Sequence, residues 1–370
     1  MEHGGDIYTN RGIELDFSVN LNPLGPPEEV RSALQSMLDA SACYPDPHCR
    51  ELRHALARKL EVSEEWVLCG NGASELLLAA AQAIRPAKVL IPVPTYQGYE
   101  RAAAAAGAET IFHQLMEENG FEITDDIWQD IEALPAGSLL FVCNPNNPVG
   151  NCIREDLLQK IAEKCRSAGV YLLVDECYLE LLPDEAARSM RHYLPRNPYL
   201  LIVRAFTKTY AMPGVRLGYL MASDQALIEK IHLQQPEWSV SMFAQKAGLA
   251  ALSLDGTTNA YLASARDLIR EERAYVCQRL RDFGAEVYDG EAGFVLFSCS
   301  RELYEPLRES GILIRRCDSM RGLEHADGSP QGADGRPQDV DGRPHFYRIG
   351  LRGHGDNARL MDWMQKLLLR

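Results

Sequence analysis

Ala205-Phe206-Thr207-Lys208-Thr209-Tyr210-Ala211-Met212-Pro213-Gly214-Val215-Arg216-Leu217-Gly218-Tyr219 follows the apolar run 199–203, and the reading of this stretch decides the fold. A strand that ends in a lysine flanked by threonines, with an arginine eight residues on behind Pro-Gly, can present an amine and a guanidinium to one phosphorylated aldehyde. Taken alone, the stretch reads first as a surface lysine in a strand-to-helix loop. Its weight comes from what precedes it.

Working outward, Tyr171-Leu172-Leu173-Val174-Asp175-Glu176-Cys177-Tyr178 sets a carboxylate directly after four strand-forming residues. A buried carboxylate is costly unless a cation or strong donor meets it. A pyridinium N–H is one such partner, with Tyr178 near enough to reach the neighbouring ring oxygen; an N-cap or a structural ion pair is the other reading. Further back, the apolar run 139–143 enters Asn144-Pro145-Asn146-Asn147-Pro148-Val149-Gly150. Prolines and asparagines fix an irregular loop at a strand end, where α/β proteins place ligands. Asn147 is there either a donor to a ring hydroxyl or the cap of an Asx-turn. At 67–75, a short strand runs into Gly70-Asn71-Gly72-Ala73 and opens a helix, a turn in which backbone N–H groups can approach a phosphate.

Strand, glycine turn, strand, loop asparagine, strand, aspartate, strand, lysine, with helices between them, predicts an α/β fold with a mostly parallel central sheet covered by helices. Strands are expected at 67–70, 88–92, 139–143, 171–175, 199–203 and 218–221, and helices at 28–38, 50–60, 75–83 and 96–106. The stretch 224–281 has helical spacing interrupted at 235–241. Short apolar runs at 285–288, 293–298, 312–315 and 346–351 read as a smaller α+β C-terminal domain. The expected organisation is an extended N-terminal arm over 1–30, a large domain over 31–250 and a small one over 251–370. Within the last, 326–346 holds three turn-rich heptads, Ala-Asp-Gly-Ser-Pro-Gln-Gly and two variants, read as an inserted surface loop.

At 370 residues and 46% hydrophobic, the chain can bury a large core, and no apolar run nears the roughly 20 residues of a membrane span. The first residues lack the charged-then-apolar pattern of a secretory leader, which makes the cytoplasm the expected compartment. A net charge of −14 disfavours non-specific nucleic-acid binding while leaving a local anion site open to individual arginines. Ten scattered cysteines, without zinc-type spacing, read as reduced core thiols and point to no metal.

Together, Asn147, Asp175, Tyr178, Lys208 and Arg216, in this order and at these spacings, resemble the fold-type I pyridoxal phosphate enzymes of the class I/II aminotransferase group. Two branches share the pattern. Pro94-Thr95-Tyr96 and Tyr178 are similar to histidinol-phosphate aminotransferases. His3-Gly4-Gly5, Asp16-Phe17-Ser18-Val19-Asn20-Leu21-Asn22-Pro23, Tyr44-Pro45-Asp46, Gln235-Pro236-Glu237-Trp238 and Ile312-Leu313-Ile314-Arg315-Arg316-Cys317 look like the L-threonine-O-3-phosphate decarboxylases of cobalamin biosynthesis. The resemblance implies pyridoxal 5'-phosphate carried covalently by Lys208, with Asp175 at its ring nitrogen and Asn147 and Tyr178 at its ring oxygen. It further implies that Gly72, Ala73, Thr207 and Arg216 hold the cofactor phosphate and that Tyr96 covers the ring. His3, Asn20, Arg315 and Arg348 would take a small phosphorylated amino acid, and the active chain would be a homodimer. Ala205 stands where most relatives have a serine on the phosphate, and the heptad loop has no counterpart in the family.

Overall fold

A computed structural model describes residues 4–253, 257–324 and 344–369. His3 and residues 326–343 of the heptad loop lie outside the described residues. Thirteen strands follow one another among the described residues: β1 Leu15–Asp16, β2 Val67–Gly70, β3 Lys88–Val93, β4 Glu109–Gln114, β5 Leu139–Cys143, β6 Tyr171–Asp175, β7 Leu200–Ala205, β8 Gly218–Ala222, β9 Glu286–Val287, β10 Phe294–Cys299, β11 Ile312–Leu313, β12 Arg315–Arg316 and β13 His345–Gly350.

Seven of them form the central sheet in the order β2-β8-β7-β6-β5-β3-β4. The pairs β3–β4, β3–β5, β5–β6 and β6–β7 are parallel, while β8 runs antiparallel to both β7 and β2. Strands β5 and β7 are buried throughout, as expected of a sheet covered on both faces. One core packs under the helices Arg50–Leu60, Glu155–Ala168 and Met242–Leu252, and a second lies between the opposite face and the helices Ala73–Ile84 and Gly98–Ala105. The expected α/β class with a mostly parallel sheet is therefore the observed one. Strand β4, which the sequence reading passed over, lies at the sheet edge with most of its residues partly exposed.

The smaller region is an antiparallel sheet, β12-β13-β10-β9, packed on the long helix Thr257–Asp282 and the C-terminal helix His354–Leu368. The run expected as one strand over 312–315 divides between two sheets, since β11 pairs with β1 and β12 with β13. The arm departs from expectation as well. Residues 4–13 fold into turns: Asp6 accepts from Thr9 N at 3.0 Å, and Gly5 and Gly12 sit at φ near +80°. Only after them does the chain extend. There β1 joins the small sheet region, while Asn22 donates its N to Lys208 O (3.0 Å) and its Nδ2 to Thr209 O (2.9 Å). The cysteines are free, most of them buried as expected, but Cys43 is exposed.

Candidate active site

The C-terminal ends of β5, β6 and β7 open into one cleft, closed from the other side by the arm and by β12 and β13. Asn20, Ala73, Tyr96, Asn147, Asp175, Tyr178, Thr207, Lys208, Arg216, Arg315 and Arg348 all line it. Gly72 stands just behind, where a methyl group would lie 2.5 Å from the Arg216 guanidinium. Every expected site residue among the described ones thus converges here, from segments up to some 330 positions apart in the chain.

Lys208 is carried by a single helical turn, Phe206–Thr209, at the end of β7. Its amine forms no hydrogen bond or ion pair among the described residues. Burial, reinforced by the positive field of Arg348 and Arg216, brings its pKa down to about 8. Asp175 ends β6, where Oδ1 accepts from Cys177 N at 3.0 Å and Oδ2 from the Tyr99 hydroxyl at 2.8 Å. Burial pushes its carboxyl above the ordinary aspartate range, against the pull of the Cys177 and Tyr99 donors.

Gly72 (φ +81°) precedes the helix Ala73–Ile84 as an N-cap without a side-chain acceptor, and this helix start lies beside the Arg216 guanidinium. Strand β8 presses against this turn at Gly218, where a Cβ would stand 2.7 Å from Ala73 N. Arg216 itself needs φ +59° to reach over the turn, and its Nη1 donates to Pro213 O at 3.1 Å. Tyr96 folds its ring back over Gly98, where a Cβ would lie 2.2 Å from the ring, and its hydroxyl meets Ser74 Oγ at 3.3 Å.

The remaining side chains form a polar, positively charged wall. Arg348 Nη1 donates to Asn147 Oδ1, and Nη2 donates to Ser18 O at 2.8 Å. Its Nε is buried without a partner, as is Asn20 Oδ1, while Asn20 Nδ2 donates weakly to the Tyr178 hydroxyl at 3.4 Å. Arg315 stands directly across from Arg348 in the β12–β13 register. Both are about nine-tenths buried, and among the described residues neither has a carboxylate partner. Two buried guanidiniums without a carboxylate partner among the described residues suit anionic ligand groups.

These residues fit pyridoxal phosphate. A cradle of N–H groups and a guanidinium suits the phosphate, a partly neutral lysine suits the aldehyde, and a buried carboxylate at the far end suits a protonated ring nitrogen. Sequence reasoning missed Tyr99, the donor to Asp175. The helix expected from residue 96 begins only at Gly98, so Tyr96 precedes it, and the available signal was the spacing of three residues between Tyr96 and Tyr99, which a turn closes through Tyr99 N donating to Tyr96 O at 3.2 Å.

Comparison with known proteins agrees. The family described as "Aminotransferase class I and II" matches residues 13–325. Threonine-phosphate decarboxylase of Salmonella typhimurium is 36% identical, covering 99% of this chain and 96% of its own. Histidinol-phosphate aminotransferase of Symbiobacterium thermophilum is 33% identical over 86% of this chain and 87% of its own. The crystal structure of the histidinol-phosphate aminotransferase from Clostridium acetobutylicum superposes with a TM-score of 0.82 at 26% identity, covering 96% of this chain and 99% of that one. With the lysine, the phosphate cradle and the buried aspartate assembled in one cleft of a fold-type I sheet, the chain belongs to the class I and II aminotransferase family, whose cofactor, pyridoxal phosphate, it shares.

Proposed function

We propose that this enzyme decarboxylates L-threonine O-3-phosphate to (R)-1-amino-2-propanol O-2-phosphate, the step the resemblance assigns to cobalamin biosynthesis, acting as a cytoplasmic homodimer. The observation that supports the reading is the pair Arg315 and Arg348, two buried guanidiniums that line the same cleft as Lys208 and have no carboxylate partner among the described residues. An ordinary amino acid brings one anionic group. A phosphorylated one brings two, and matches the pair. The near full-length likeness to a threonine-phosphate decarboxylase supports the same assignment.

The bound cofactor supplies an electron sink for the pair left at Cα when a bond there breaks. The side chains do the rest. Arg216, Thr207 and the Gly72–Ala73 turn would anchor the cofactor phosphate, Asp175 would keep the ring nitrogen protonated, and Asn147 and Tyr178 would hold the ring oxygen. Arg315, Asn20 and the arm bind the substrate phosphate. Their grip would set the orientation of the substrate at Cα and so select which bond there breaks. Breaking the bond from Cα to the carboxylate would release carbon dioxide, and one proton delivered to Cα would complete the product. Lys208, with its pKa near 8, can hold and return that proton.

Transamination of histidinol phosphate uses the same groups in another pose, with Lys208 removing the Cα proton. The deciding experiment offers the cofactor-loaded enzyme L-threonine phosphate without a keto acid and follows carbon dioxide. Sustained release is expected. No release, together with keto-acid-dependent turnover of histidinol phosphate, would replace the decarboxylase with the aminotransferase.

A further inference from the structure

Tyr99 lies in the first turn of the helix Gly98–Ala105 and is fully buried. Its ring has a purely structural explanation, since it stacks on Phe141 (centroids 4.9 Å, 8° between planes) and takes Tyr96 edge-on at 5.4 Å. A phenylalanine would fill that space equally well. The hydroxyl has none. It is spent on Asp175 Oδ2, at 2.8 Å, in a position that the fold could have left apolar.

We propose that Tyr99 is a positioning residue for Asp175, fixing the rotation of the carboxylate and setting how much of its charge acts on the cofactor ring. The proposal rests on the reading of Asp175 as the ring-nitrogen partner. Cys177 holds the carboxylate through its N at Oδ1, with its thiol also bearing on the group, and the Tyr99 hydroxyl is the donor that fixes Oδ2. Each oxygen keeps one lone pair for the ring N–H. Burial and the nearby Asp175 charge push the Tyr99 phenol well above its ordinary range, so it stays a donor at any working pH. Tyr96 lies just before this helix, and Tyr99 N donates to Tyr96 O at 3.2 Å, so the backbone that places the ring cover also places the donor to the aspartate.

The groups that bear on Asp175 are Tyr99 from the helix, Cys143 from β5, Cys177 from its own loop and Lys208 from the turn after β7, with the Glu176 charge acting from the far side of the strand. Only Tyr99 is removed in Tyr99→Phe, which keeps the stacked ring. Losing the donor leaves more charge for the ring and favours the protonated form of the loaded cofactor. Expected are a rise of roughly half a unit in the pH midpoint of the visible absorbance change, and a fall of about 10-fold in kcat with KM within about 2-fold. Phe141→Leu serves as the packing control, lowering the melting temperature without moving the midpoint. Asp175→Asn separates the proposal from the reading beneath it. If Asp175→Asn shifts the midpoint and Tyr99→Phe does not, the positioning role is wrong and the aspartate assignment stands. If neither moves it, both fall.

Discussion

Lys208 shows how far one residue's chemistry follows from its surroundings. A lysine in water titrates near 10.4 and is almost wholly charged at neutral pH, whereas burial and two arginines bring this one to about 8. Only the neutral amine attacks an aldehyde. Capture of pyridoxal phosphate by the cofactor-free protein should therefore accelerate with pH and reach half its plateau rate close to pH 8, as read from the absorbance change after mixing. A midpoint above pH 10 would mean that Lys208 does not feel this environment. Lys208 and Asp175 were legible in the sequence because each sits at the end of an apolar strand, where a charged side chain demands a reason. The Tyr99 hydroxyl was not, because its meaning is a contact with a residue 76 positions away. Nor did the sequence show that Arg315 and Arg348 are cross-strand neighbours, since that depends on the register of two short strands.

Among the elements, the proposed phosphate cradle is a strand pressed against a turn. Gly218 begins β8, and a methyl group there would meet only backbone: Ala73 N at 2.7 Å, Gly72 C at 2.9 Å and Arg204 O at 3.0 Å. Backbone cannot swing aside as the end of a side chain can, so Gly218→Ala must push the helix start away from β8. Weakening of cofactor affinity by about 10-fold or more and a lower melting temperature are expected, the cost of overpacking being about 1–3 kcal/mol. Gly214, with nothing within 4 Å of a Cβ, is the matched control, and Gly214→Ala should leave the melting temperature unchanged. Equal behaviour of the two variants in equilibrium dialysis and thermal melts would sink the idea. The elements themselves were largely readable, because buried parallel strands appear as continuous apolar runs. Strand β4 escaped: Glu109-Thr-Ile-Phe-His-Gln is an edge strand with mixed polarity, and only its pairing with β3 identifies it. The turns of residues 4–13 escaped for a related reason, since glycines permit an extended arm and a folded one alike.

At the scale of the whole molecule, the functional edge of the sheet is braced from beneath by ions. Arg204 and Glu176 adjoin Ala205 and Asp175 in the chain, so strand alternation turns them away from the cleft. Arg204 Nε and Nη2 donate to Glu176 Oε2 at 2.9 and 2.7 Å, and Nη1 stands 2.7 Å from Glu185 Oε1. Glu176 also accepts from Ser189 Oγ and Met190 N, at 2.9 and 2.8 Å, which ties β6 and β7 to the segment after them. Both partners of the central pair are almost completely buried. Such a pair contributes little over an apolar replacement, yet breaking it from one side strands a charge in the core. Arg204→Met should therefore cost about 3–5 kcal/mol in urea unfolding, and adding Glu176→Leu should restore most of that loss. The sign of the coupling carries the argument. If the double variant is as unstable as the sum of the singles, the pair is not an ionic brace, and the rigidity of the Asp175 and Lys208 edge must come from the apolar core alone.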